Sequence, residues 1–144
     1  MALAIAASLK AFSPFTLVRN ENTMTDTMTT ITHEDLGQDL RRIVITGRLD
    51  TQGTNEISAQ LRELADAPVR SVIVDLSAVA FAASIAIGQL IVNARAVKAR
   101  GGHLVLLVSA YSAVMMSLKS SGIDQLIPVF QNAPEAHVGA LRGF

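Results

Sequence analysis

The feature that most constrains this chain is the run Val72-Ile73-Val74 inside VRSVIVDL, residues 69–76. β-Branched side chains are stiff about χ1 and suit an extended backbone. Three in succession leave no wet side, so the strand they predict is buried on both faces. HLVLLV, residues 103–108, has the same character. Strands dry on both faces imply helices above and below a largely parallel sheet, since parallel neighbours are joined by crossover helices.

The remaining segments fit that frame. ITHEDLGQDLRRIVITGRLD reads as two short strands around a Gly37 turn, with Arg42, Val44 and Thr46 alternating against Ile43, Ile45 and Gly47. TNEISAQLRELADAP spaces Ile57, Leu61 and Leu64 along one helix face, and Pro68 ends it. After Ser84, the residues Ile87, Leu90, Ile91 and Ala94 follow the i, i+3, i+4, i+7 rule, and Gly101-Gly102 supplies the stop. SAYSAVMMSLKSSG predicts a helix closed by Gly122 in a left-handed conformation, with Ile123 packing back. LIPVF is a last short strand and PEAHVGALRG a last helix, with Pro134 in its first turn. The order β-β-α-β-α-β-α-β-α predicts an α/β fold: a mixed, mostly parallel sheet of about five strands with about four helices. The outer strands pair antiparallel through the Gly37 turn.

Composition narrows the function classes. Twelve basic and twelve acidic residues cancel, so no basic excess points to nucleic acid or to an anionic membrane surface. Without cysteine there is no disulfide, thiolate metal site or cysteine nucleophile, which is compatible with the cytoplasm, where the chain is placed. His33, His103 and His137 show no ligand spacing and read as surface or strand-end residues. No metal or other cofactor is expected. Leu76–Val92 carries no charge over seventeen residues but is too short for a spanning helix and contains Ser77, Ser84 and Gln89, so no membrane insertion is expected. Residues 1–28 read as an unstructured N-terminal extension and 29–144 as the one folded domain. MALAIAASLKAFSPF lacks the basic start and clean cleavage site of a signal peptide, and Met24 or Met28 could be the true start.

Enzyme signatures are missing: there is no GxGxxG, GxxxxGK[ST] or GxSxG, and no histidine near a Ser–Asp pair. Asp50 and Asp75 read as strand-end residues capping free N–H groups, and neither has a second group to complete a catalytic mechanism. Ser84 is the better candidate. As a helix cap it would accept a hydrogen bond from the N2 or N3 amide, worth ~1 kcal/mol. The same place would suit a phosphate, facing the positive end of the helix dipole. The helix face opposite the core stripe carries Ile85, Gln89, Val92 and Ala96 where a solvated face would carry charges, so it reads as a partner surface or a second buried side.

IVITGRLDT, VIVDLSAVAFAAS before a helix, ARGGHLVLLV and LKSSGIDQLIPVF resemble, in order and spacing, the STAS domain of bacterial anti-sigma factor antagonists. The resemblance runs from about Ile31 to Ala140. Its most telling pieces are VDLS, with a hydroxyl nine residues after the Asp, and SGID before the last strand. In that family the loop before the helix usually reads Asp-Ser-Ser-Gly or Asp-Ser-Thr-Gly, and its first serine is phosphorylated by a kinase that is itself the anti-sigma factor. Those positions are Ala83, Ser84, Ile85 and Ala86 here. The resemblance therefore implies a non-enzymatic module whose partners are an anti-sigma factor serine kinase and a serine phosphatase. Ser84 would be the phosphorylation site, and Ala83, Ser84, Ile85, Gln89 and Val92 the partner surface. The changed neighbours leave a second reading: an unphosphorylated scaffold subunit of a larger signalling or ABC lipid-transport assembly, with Ser84 as a cap.

Overall fold

The computed structural model describes residues 28–66 and 68–142. The expectation for an N-terminal extension therefore falls, except for Met28, outside the described residues. The elements are β1 (Thr30–Asp35), β2 (Leu40–Leu49), α1 (Thr51–Asp66), β3 (Ser71–Ala82), α2 (Ser84–Ala99), β4 (Leu104–Leu107), α3 (Ala113–Ser121), β5 (Val129–Phe130) and α4 (Ala133–Arg142), with a 3-10 turn, Ile123–Gln125, between α3 and β5. The sheet order is β1-β2-β3-β4-β5. β1 runs antiparallel to β2 around Gly37, whose φ is 94°, and every other pair is parallel. This is the mixed, mostly parallel α/β architecture that the element order predicts.

Alternation along the central strands divides the core in two. Val72, Val74 and Leu76 of β3 and Leu104, Leu106 and Val108 at β4 face the larger core, with Ile57 and Leu61 of α1, Leu90 and Val97 of α2, and Val114 and Leu118 of α3. Ile73, Val105 and Leu107 point the other way, onto Ala136 and Ala140 of α4. The dry-on-both-faces character of Val72-Ile73-Val74 thus has a concrete cause: among the described residues α1, α2 and α3 cover one side and α4 covers the other.

β3 is longer than VRSVIVDL suggests. It continues through SAVAFA because β2 still offers ladder partners there, Thr46↔Ala78, Gly47↔Val79, Arg48↔Phe81 and Leu49↔Ala82. Register slips between Val44 and Thr46, and between Gly47 and Arg48, insert extra residues into β3 as bulges. At the first bulge the Asp75 carboxylate accepts the Ser77 N–H at 2.9 Å, and it receives Arg42 Nε at 3.1 Å. Asp75 therefore sits within the strand and holds its bulge, where the sequence suggested a cap at the strand's end. Asp50 does act at a strand end, accepting the Gly53 N–H at 2.8 Å to start α1. Among the described residues no helix is long and apolar enough to cross a membrane.

Candidate partner-docking site at the head of α2

The site begins where β3 stops. The Ala83 N–H donates to Leu49 O at 2.9 Å, a last rung between the β2 and β3 ends. Ala83 keeps extended backbone angles, φ −83° and ψ 170°, and its carbonyl accepts the N–H groups of Ala86 at 3.0 Å and Ile87 at 3.2 Å. The capping position is therefore Ala83, with no side-chain cap. Ser84, which the sequence suggested as the cap, is instead the first residue inside the helix, one position past it. From there its hydroxyl does not reach the leading amides; it is exposed and makes no hydrogen bond among the described residues.

The side chains singled out beside Ser84 share the outer surface of α2 to different degrees. Val92 is 57% and Ile85 36% exposed. Gln89 and Ala83 are half-buried, and Ala96 is exposed. No acidic residue occupies the first turn, and from Ser84 to Ala94 the helix carries no charge. The patch is dry, small and uncharged, with a free hydroxyl at its head. Such surfaces suit protein contact better than chemistry.

The inner face differs from the expected stripe. Ala86, Leu90, Asn93 and Val97 are buried, while Ile87, Ile91 and Ala94 pack on the core only in part. Asn93 is 3% exposed and satisfies its amide by donating from Nδ2 to Gln89 O at 2.8 Å. A helix apolar on nearly every side gives periodicity little to choose between.

Asp75 is not brought to this surface. Seven further residues of β3 lead from it to Ala82, about 23 Å of extended chain. Burial by itself would raise its carboxyl, but hydrogen bonds from Ser77 and Arg42 outweigh this and hold it below the ordinary value. An ionised, doubly engaged carboxylate suits a structural role and not a proton acceptor. Of the histidines, His33 is exposed, and His103 and His137 are half-buried on separate elements.

Two features carried no sequence signal. Tyr111, in the loop after β4, is 99% exposed with a φ of 63°, an unusual left-handed conformation for a residue with a side chain. Gly47 and Gly53 are places where the incoming chain lies against the fold. A Cβ on Gly47 would stand 2.6 Å from Met28 O, and one on Gly53 would stand 2.1 Å from Arg48 O and 2.5 Å from Thr29 Oγ1. Thr29 Oγ1 also donates to Arg48 O at 2.6 Å.

Known structures share this architecture. An anti-sigma factor antagonist from Mycobacterium paratuberculosis superposes with a TM-score of 0.71 at 16% identity, covering 78% of this chain and 94% of the other. SpoIIAA, an anti-sigma factor antagonist in its unphosphorylated form, gives 0.63 at 20% identity over 80% and 98%. The Bacillus cell fate determinant SpoIIAA in its phosphorylated form gives 0.57 at 20% identity over 78% and 100%. At such identities the likeness speaks for the fold. No curated protein sequence matches the chain. The model of the STAS domain matches residues 36–136, and with that match over most of its length the chain belongs to the STAS domain family.

Proposed function

We propose that this protein is a cytoplasmic anti-sigma factor antagonist, a non-enzymatic module that binds an anti-sigma factor serine kinase through the N-terminal half of α2. Phosphorylation of Ser84 switches the binding off, and a serine phosphatase restores it. The observation that carries the reading is the exposed, unengaged Ser84 hydroxyl at the head of an uncharged patch formed with Ile85 and Val92. A phosphate there would add about two negative charges. Beside the leading amides of α2 it would be favourable by ~0.3–1 kcal/mol, so the fold accepts it. Within a dry contact the same dianion would lie buried without a partner, which costs far more. SpoIIAA, which shares the fold, has been seen in both unphosphorylated and phosphorylated forms, and this supports the reading.

The test is equilibrium binding of wild type, Ser84→Ala and Ser84→Asp to a kinase encoded beside this gene. Ser84→Ala should bind like wild type. Ser84→Asp should bind at least about thirtyfold more weakly, the equivalent of about 2 kcal/mol. Equal binding of Ser84→Asp would sink the switch. It would favour the scaffold reading, which draws on Ala83, Ile85 and Ala86 standing where the family usually has Asp, a hydroxyl residue and Gly. In a scaffold, Ser84→Asp leaves assembly intact and no phosphate is transferred from ATP.

A further inference from the structure

The two ends of α2 differ in charge. From Ser84 to Ala94 the helix carries none, whereas Arg95, Lys98 and the capping Arg100 follow closely with no acid among them. Arg100 is committed to the fold, donating to Val69 O at 2.9 Å and lying 3.9 Å from Asp66. Lys98 has no ion-pair partner among the described residues. It borders a cavity of about 330 Å³ between α2, the start of β4 and the turn before β5. The other walls are mainly aliphatic, from Ala94, Leu104, Leu126 and Pro128, and no acidic residue lines them among the described residues. Leu126 is 64% exposed, an apolar wall that the fold leaves open.

His103 completes the lining, and its backbone is pinned on both sides. Its N–H donates to Ser71 Oγ at 3.0 Å, and its carbonyl accepts the Val72 N–H at 2.9 Å. Nδ1 of its ring is buried without a hydrogen-bond partner. A buried N–H without an acceptor is tolerated less readily than a buried lone pair, so the ring hydrogen belongs on Nε2, ready to donate. The loop before it is equally fixed. Arg70 Nε donates to Gly101 O at 2.9 Å, and a Cβ on Gly102 would stand 1.7 Å from Arg70 O. At the negative end of the helix dipole, Val97 O and Lys98 O accept the N–H groups of Gly102 and Gly101, each at 3.0 Å, and are thereby capped.

We propose that this cavity binds a small aliphatic monocarboxylate, its chain against Leu104, Leu126 and Pro128 and its carboxylate between Lys98 Nζ and His103 Nε2. One cation and one ring N–H suit a single negative charge; the second charge of a phosphate would have no partner. No aromatic residue lines the walls, so nothing there favours a stacked ring over a chain. The volume equals that of about eleven waters in the liquid, which admits a molecule of about ten non-hydrogen atoms. A mainly apolar cleft with a few convergent polar groups is the usual form of a small-molecule site. It lies about 21 Å along α2 from Ser84, so it is separate from the surface proposed for the partner.

Octanoate matches that size and is the probe, with octanol and octylammonium of the same chain length beside it. Each is titrated into the full chain and followed by backbone amide NMR shifts. Octanoate should shift the amides of Gly102, His103 and Leu104 and saturate with a Kd on the order of 0.1–1 mM. Octanol and octylammonium should bind about tenfold more weakly or worse. Lys98→Met should weaken octanoate about tenfold and leave octanol unchanged. Arg95→Met removes an equal charge from the same helix outside the cavity and should change neither. Both positions are exposed, so neither change threatens the fold. The proposal is overturned if octanoate produces no saturating shift at these amides, or if octanol binds as well as octanoate. It is overturned equally if Lys98→Met has no effect, or if Arg95→Met weakens octanoate as much, which would mark general attraction to a basic helix end.

Discussion

α2 and α3 each begin beside a serine, and the two serines are used in opposite ways. Ser112 occupies the capping position of α3: its Oγ accepts the Met115 N–H at 3.0 Å and donates to Ser109 O at 2.8 Å. Ser84 stands one position inside α2, where the cap is Ala83, and its hydroxyl is unengaged. A displacement of one residue separates a hydroxyl consumed by the fold from one left for other chemistry. The rule that a serine at a helix start is a cap holds for α3 and fails for α2. A polar group with no structural duty at an exposed helix head is the one worth testing for a partner or a modification.

The comparison requires that both helices be seated equally well, and the largest expected effects test this. Leu90→Ala in α2 and Leu118→Ala in α3 each remove a buried side chain, 1% and 0% exposed. Each should cost about 2–5 kcal/mol in urea unfolding. A much smaller loss at Leu90 would mean that α2 is not held firmly enough to present Ser84 in one place.

A smaller effect is expected from Asp75, a polar side chain engaged by the fold as Ser112 is. Its carboxyl is held below the ordinary value of 3.8 in the folded state. The stability it contributes is therefore complete above that value and is lost as pH falls through the lower folded-state value. Urea midpoints of wild type should drop more steeply between about pH 5 and pH 2 than those of Asp75→Asn. Parallel acid limbs would mean that the bulge does not depend on the charge.

The caps themselves come next, with opposite signs. Ser112→Ala should lower stability by about 1 kcal/mol, and Ala83→Ser, which places a hydroxyl where α2 lacks one, should raise it by a similar amount. Thermal or urea unfolding of the two variants would decide this. If Ala83→Ser gains nothing, α2 is not short of a cap. The smallest effect belongs to Ser84→Ala, which should stay within about 0.5 kcal/mol of wild type because no bond is lost. A loss near that of Ser112→Ala would show that the Ser84 hydroxyl caps after all and would erase the contrast.

The same contrast shows what could be read in advance. Ser112 lies in SAYSAVMMSLKSSG, and the closing Gly122, with its φ of 81°, and the buried Ile123 behave as the pattern predicts, because capping and chain reversal are local. The start of α2 was legible only to within a residue. Its position depends on how far β3 runs, and that depends on two bulges against β2 and the bond from Ala83 N–H to Leu49 O. The inner face of α2 was hidden for another reason: a helix apolar on nearly all sides, with Asn93 buried among the rest, gives no polar side from which to orient it. Tyr111 left no trace because one aromatic residue in a loop has no pattern.

The sequence by itself determined the alternation of strands and helices, the two dry central strands and the one hydroxyl in a charge-free stretch. Branching at Cβ and the periods of strand and helix act between near neighbours and need no knowledge of the rest. Only the tertiary structure decided that Ala83, and not Ser84, would be the cap, that Ile85 and Val92, on the face of α2 turned from the core, would be left exposed, and that Met28 and Thr29 would lie against Gly47 and Gly53. Each of these is set by a hydrogen bond or packing contact with a strand distant in sequence, which no local pattern records.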